Sequence, residues 1–185
     1  MNESETGAMT AAKSTQDELY QEAATSYGAA LERLANAYEA DADIRCVLLQ
    51  EIHIALWRSF EGFDGRCSLR TWVYRVAHNA AASHVIRQRR TKGQGLVSVE
   101  ELDDLPDNDN SEENASRKQA LDRLMDLIQR LKPLDRQVIL SYLEGLDAAS
   151  IGEITGLSAG NVATKIHRIK SILARRLNAG GNDND

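Results

Sequence analysis

Only two prolines, Pro106 and Pro133, interrupt this chain of 185 residues, and that scarcity restricts its fold more than any other feature. Proline is the strongest helix breaker, and long intervals free of it and of turn-forming clusters leave helix as the main option for the backbone. The apolar positions agree. Across residues 17–38, Tyr20, Ala23, Tyr27, Leu31, Leu34 and Tyr38 recur at spacings of three and four, which places them on one helical face. A second helix is expected to begin near Asp43, whose carboxylate can accept from free N–H groups, and to run through IRCVLLQEIHIALWRSF to about Phe60. The stretch EGFDGRCS, with Gly62 and Gly65, then makes a loop. Ser68 suits the N-cap of a third helix, SLRTWVYRVAHNAAASHVIRQRR. Helical spacing puts Leu69, Val73, Val76 and Ala80 on its inward stripe, Thr71, Arg75, His78 and Asn79 opposite, and Trp72 and Tyr74 on the flanks.

Residues 91–116, TKGQGLVSVEELDDLPDNDNSEENAS, are too poor in apolar side chains to offset the entropy of ordering them, and are expected to form a flexible linker. Helical periodicity resumes with Leu121, Leu124, Ile128 and Leu131, pauses at Pro133 and continues through LDRQVILSYLEGL. The segment LDAASIGEITGLSAGNVATKIHRIKSILARRL then has the pattern of a helix-turn-helix. Asp147 caps a short helix carrying Ile151 and Ile154, Gly156 permits a tight turn, Leu157 plugs it, and Ser158 caps the longer helix. Val162, Ile166, Ile169, Leu173 and Leu177 form that helix's inward stripe, and Asn161, Thr164, Arg168 and Arg175, with Lys165 beside them, face outward. The predicted organisation is all-α: a disordered start (1–15), a helical domain (16–92), an acidic flexible linker (93–116), a helix-turn-helix domain (117–177) and a disordered tail (178–185).

Charge is segregated along this order. The formal net charge is -6, yet residues 66–92 hold seven Arg or Lys and no acid, residues 100–113 hold eight acids and no base, and residues 154–182 again hold Arg and Lys without an acid. Two basic modules flanking an acidic connector fit a polyanionic partner; basic runs alone also describe solvated helix faces. Asn and Arg on an outward helical face have the donors and acceptors needed to read base edges in a major groove, and Thr and Lys reach phosphates or methyl groups. No uninterrupted apolar run is long enough for a membrane span, and MNESETGAMTAAKSTQDE has neither the basic nor the apolar part of a signal peptide, so no membrane insertion and a cytoplasmic location are expected. Cys46 and Cys67 lack framework spacing, and the four histidines are dispersed, so neither a disulfide nor a metal is expected, and no cofactor is implied.

Two separated segments together resemble one family, the bacterial RNA polymerase sigma factors of the sigma-70 type, in particular their small extracytoplasmic function (ECF) group. LLQEIHIALWRSFEGFDGRCSLRTWVYRVAHNAAASHVIRQRR is similar to its region 2, and LKPLDRQVILSYLEGLDAASIGEITGLSAGNVATKIHRIKSIL to its region 4. The resemblance implies a region 2 bundle and a region 4 helix-turn-helix acting on core RNA polymerase and promoter DNA. Leu49, Gln50, Glu51, Ile54 and Trp57 match the surface that docks on the polymerase largest subunit. Arg66, Ser68, Arg70, Thr71, Trp72, Tyr74, Arg75, His78 and Asn79 match the element that reads the minus-10 sequence as an opened single strand, with Arg75 and Asn79 placed to hold a flipped base. Ser158, Asn161, Thr164, Lys165, Arg168 and Arg175 match the helix that reads the minus-35 element as duplex. An anti-sigma factor is the regulatory partner the family implies. Val47 and Ala163 depart from the pattern, standing where an acid and a base are common.

On residue chemistry alone, Trp72 serves equally as core or as base-stacking side chain, Tyr74 as a rim aromatic, and Gln50 and Glu51 as solvated helix residues. A conventional helix-turn-helix regulator leaves the aromatic, acid-free third helix without a role. An anti-sigma or adaptor protein would use both basic faces on acidic partners, with binding unchanged by salt. An enzyme has no support from paired carboxylates, a nucleophile arrangement or metal-ligand spacing.

Overall fold

The computed structural model describes residues 3–92, 96–103 and 117–178. Among these, regular structure is helical apart from an isolated parallel bridge between Val97 and Leu131. The chain divides into two compact units, residues 1–88 and 89–185.

The first unit is built on α1 (Glu3–Tyr38), α2 (Ala42–Ser59), a 3₁₀ turn (Phe60–Gly62) and α3 (Leu69–Lys92). Helix α1 begins well before the expected start at Asp17 and runs through much of the stretch read as disordered; no proline there stops a helix once it is established downstream. Ala23, Leu31, Leu34 and Tyr38 are buried along it, as the periodicity predicted. The cap of α2 is Asp41 rather than Asp43: its carboxylate accepts from Asp43 N–H at 3.0 Å and Ile44 N–H at 3.1 Å. Asp43 sits inside the first turn, where an acid favours the positive end of the helix.

Helix α3 is capped as expected, Ser68 Oγ accepting from Thr71 N–H at 3.0 Å. Its inward face, however, is rotated from the predicted one. Thr71, Val73, Tyr74, Ala77, His78 and Ala81 are buried, whereas Leu69, Val76 and Ala80 are half-buried. The rotation has a physical cause. Tyr74 and His78 bring more area to the core than Val76 and Ala80, and their polar character is accommodated there. Tyr38 Oη lies 3.0 Å from His78 Nδ1, and the Tyr27 ring meets Tyr74 edge-on at 6.4 Å.

The second unit contains α4 (Val99–Asp103), α5 (Arg117–Arg130), α6 (Pro133–Leu143), α7 (Ala148–Thr155) and α8 (Ala159–Asn178) around Ile128, Leu131, Val138, Ile139, Ile151 and Ile169. Pro133 opens α6, where its missing N–H costs nothing. The buried Arg136 side chain donates to the carbonyl oxygens of Leu131, at 3.0 Å, and of Gln129, closing the end of α5. The helix-turn-helix forms on its predicted caps: Asp147 Oδ1 accepts from Ser150 N–H at 2.7 Å, and Ser158 Oγ from Asn161 N–H at 3.2 Å. Gly156 takes the left-handed conformation at φ 78, which a side chain would strain. A Cβ on Gly152 would stand 2.7 Å from the Leu157 carbonyl oxygen, so the turn closes only over a glycine.

The expectation of a flexible linker fails over residues 96–103. They carry α4 and a β-bridge, and Leu102 is 1% exposed. Apolar residues concentrated at this end, hidden in the average over the polar stretch, supply the burial that orders it. The rest of the linker that falls at 93–95 and 104–116, and the tail at 179–185, lie outside the described residues.

Candidate nucleic-acid and polymerase interfaces

Helix α2 presents Val47 and Ile54 at 51% and 52% exposure on either side of exposed Gln50. Leu49 is half-buried beside it. Glu51 is not a simple solvated acid: its carboxylate accepts from Arg87 Nη2 at 2.8 and 2.7 Å and lies 3.0 Å from His84 Nδ1, so α3 fixes the acid on α2. His84 itself is buried, with Glu39 at 4.0 Å on its other nitrogen. Trp57 is anchored to α1, its Nε1 donating to Asp17 Oδ1 at 2.8 Å, while its backbone oxygen accepts from Gln16 Nε2 at 2.7 Å.

Around the start of α3 the predicted minus-10 set separates into two groups. Thr71, Tyr74 and His78 are withdrawn from it by burial. Thr71 Oγ1 lies 2.9 Å from Ser68 Oγ, and burial pushes the His78 imidazole down to about 3, so it is a neutral core group. Ser68 is exposed and serves as the cap, and Arg70 lies over the Tyr74 ring at 5.8 Å. What remains on the accessible side is an array centred on Trp72. Its Nε1 donates to Ser59 Oγ at 2.9 Å, its ring meets Phe63 edge-on at 5.3 Å, and the Arg75 guanidinium sits 5.9 Å from its centroid. Trp72 is half-buried, so it is both anchored and partly accessible. Arg75 Nε is buried without a hydrogen-bond partner, and Asn79, one turn on, is exposed. In the preceding loop Arg66 donates to Asp64 from its backbone N–H at 3.2 Å and from Nε at 2.5 Å. These contacts hold the Asp64 carboxyl below its ordinary range, the Arg66 backbone N–H contributing most. Ser59 was not singled out from sequence; its role arises from a side-chain contact with a tryptophan that follows in the chain.

Ser158, ahead of α8, and Asn161, Thr164, Arg168 and Arg175 on it are exposed; of the predicted inward stripe Val162, Ile169 and Leu173 are buried and Ile166 and Leu177 half-buried, and Ile172 is buried as well. Thr164 Oγ1 donates back to the Gly160 carbonyl oxygen at 3.0 Å. Lys165 is more enclosed than the rest. Its Nζ lies 2.5 Å from Oδ1 of Asp135, a carboxylate with a side chain only 6% exposed, so this lysine ties α8 to α6. Arg168 pairs with Glu100 of α4 at 2.9 Å. Asp135 and Glu100 carry no local signature that marks them from sequence, since their partners lie 30 and 68 positions downstream. Among the described residues no cluster of three or more side chains suits a metal ion, and no helix is long and apolar enough to cross a membrane.

A helical bundle with an aromatic, acid-free helix, followed by a separate helix-turn-helix unit, defines the two-module class of promoter-recognition factors. Residues 23–91 match the family description Sigma-70 region 2, and residues 121–173 match Sigma-70, region 4. The ECF RNA polymerase sigma-E factor of Haemophilus influenzae is 30% identical over 138 residues, covering 70% of this chain and 72% of that protein. The chain belongs to the ECF group of the sigma-70 family. Its fold is also that of solved relatives. CnrH, seen with the cytosolic domain of CnrY, superposes with a TM-score of 0.64 at 20% identity, covering 92% of this chain and 94% of that one. The sigma factor RpoE of Bartonella quintana, seen with the anti-sigma factor NepR, gives 0.61 at 18% identity, covering 85% and 94%.

Proposed function

We propose that this protein binds core RNA polymerase and directs it to promoters, its first unit reading and helping to open the minus-10 element and its second reading the minus-35 element as duplex. The observation that carries this reading is the array at Trp72. A base leaving the duplex loses a few kcal/mol of stacking and pairing, and a fixed aromatic beside a cation and an exposed amide offsets that cost. Trp72 is fixed by Ser59 and Phe63, Arg75 places a cation beside its ring, and Asn79 adds donors and an acceptor one turn away. Val47, Gln50 and Ile54, with Glu51 held by Arg87 and His84, are the proposed polymerase-docking surface. Region 2 is assigned to residues 16–92 and region 4 to residues 117–177. The chemistry of RNA synthesis belongs to the polymerase, and the factor acts in the cytoplasm. Control by an anti-sigma factor has support from the two fold relatives seen with protein partners.

Run-off transcription with core polymerase from the source organism tests the reading. Wild type is expected to yield promoter-dependent transcripts. Asn79→Ala is expected to keep core binding, read by co-elution, and to lose opening. No promoter-dependent transcript from any genomic fragment would contradict it.

A further inference from the structure

Residues 96–103, which the acidic composition assigned to a linker, are seated on the helix-turn-helix unit by contacts of two kinds. The first kind anchors. Val97 N–H donates to the Arg130 carbonyl oxygen at 3.0 Å, and its own carbonyl accepts from Lys132 N–H at 2.7 Å. Leu102 is buried, and Arg176 Nη2 of α8 donates to its carbonyl oxygen at 2.6 Å. The segment is also preformed locally: SVEE is a capping box in which Glu101 Oε2 accepts from Ser98 N–H at 2.6 Å and Ser98 Oγ from Glu101 N–H at 3.3 Å. The second kind is electrostatic and reversible. Glu100 Oε1 pairs with Arg168 Nη1 at 2.9 Å, with 43% and 57% of the two side chains exposed, and Glu101 pairs with Lys132 at 3.1 Å.

We propose that residues 96–103 form an acidic latch that competes with minus-35 DNA for the recognition helix, through the hold of Glu100 on Arg168. The inference rests on the assignment of α8 as the minus-35 reader. A phosphate brought to Arg168 meets the Glu100 carboxylate within ion-pair distance, and the two anions repel. The Glu100 carboxyl is held below its ordinary range by its own backbone N–H, then by the Ser98 hydroxyl, with Arg168 and Lys165 adding to the effect, so it remains charged at neutral pH. An exposed pair is weak and screened by salt, which lets DNA displace the carboxylate while Val97 and Leu102 stay anchored. The latch thereby lowers the affinity of region 4 for any duplex until favourable base contacts from Asn161 and its neighbours repay the exchange.

The test is binding of the holoenzyme to the upstream duplex of a promoter it transcribes, for wild type, Glu100→Gln, Arg168→Ala and Asp126→Asn. Asp126 is an exposed acid on α5, so Asp126→Asn changes net charge equally without touching the latch. Glutamine preserves the helix and removes only the charge. Glu100→Gln is expected to bind about two- to fivefold tighter at low salt, with the gain disappearing as salt rises. Asp126→Asn should stay near wild type and Arg168→Ala should bind more weakly. Equal or weaker binding by Glu100→Gln, or an equal gain in Asp126→Asn, overturns the latch while a loss in Arg168→Ala preserves the DNA face. An unchanged Arg168→Ala removes the face assignment and the latch together.

Discussion

The start of α3 and the outward face of α8 carry similar charge and are built differently. At the start of α3 the basic residues are laid against aromatic rings, Arg75 beside Trp72 and Arg70 over Tyr74, with Trp72 tied down by Ser59 and Phe63, while further along Arg87 pairs with Glu51. On α8 the outward residues Asn161, Thr164 and Arg168 are exposed; Lys165 pairs with Asp135 and Arg168 with Glu100, while Lys170 donates to Tyr142 Oη and Arg176 to the Leu102 carbonyl oxygen. On the proposed function the difference corresponds to the two forms of DNA. An unstacked base offers a π-face and edges, which a rigid aromatic shelf can hold. Duplex DNA offers phosphates and groove edges, which exposed donors on a helix can follow.

The largest expected effect is on the stability of the first unit in acid. His78 in the folded protein titrates at about 3, below its ordinary value of 6.5. Below 6.5 the unfolded chain therefore takes up a proton that the folded state refuses, and stability is lost as pH falls, by about 1.4 kcal/mol for each pH unit until pH approaches 3. Above 6.5 the contribution is flat. Denaturant unfolding of wild type and His78→Gln between pH 7 and 5 checks this: the wild-type slope should be the steeper, and equal slopes would place His78 outside the core and return it to the DNA-facing side.

Replacing Trp72 by alanine should reduce promoter opening about tenfold or more, since base stacking on one aromatic contributes about 1–3 kcal/mol, with minus-35 duplex affinity unchanged. Trp72→Phe should recover part of the opening. If both variants open promoters normally, the shelf is structural and the contrast between the faces collapses. Gly152→Ala should destabilise the second unit by about 1–3 kcal/mol through contact with the Leu157 carbonyl, and leave the unfolding of the first unit in place. The smallest effect is expected at Arg175: its replacement by alanine should lower the salt dependence of duplex binding by about one unit of slope without altering opening.

The helix-turn-helix was legible in the sequence because its determinants are local. Asp147, Gly156 and Ser158 each act within three or four residues of themselves, and the stripe of α8 is regular. The face of α3 was not, because Tyr74 and His78 are polar enough to read as surface, and the groups that receive them, Tyr27 and Tyr38, lie on another helix. Trp72 was ambiguous for the same reason: it is half-buried, held by Ser59 and Phe63 from outside its own helix. The seat of residues 96–103 was obscured by composition. The capping box SVEE and the apolar Leu96, Val97, Val99 and Leu102 were present in the sequence, but averaging over a long polar stretch hid them.

Permanganate reactivity of promoter thymines tests the central claim most directly, because it reads opening and the division of labour between the faces together. Thymines of the minus-10 element should become reactive only when this protein and core polymerase are both present. In Asn79→Ala they should stay unreactive while protection of the minus-35 duplex persists. Reactivity that is absent with wild type, or equal with Asn79→Ala, would contradict the account.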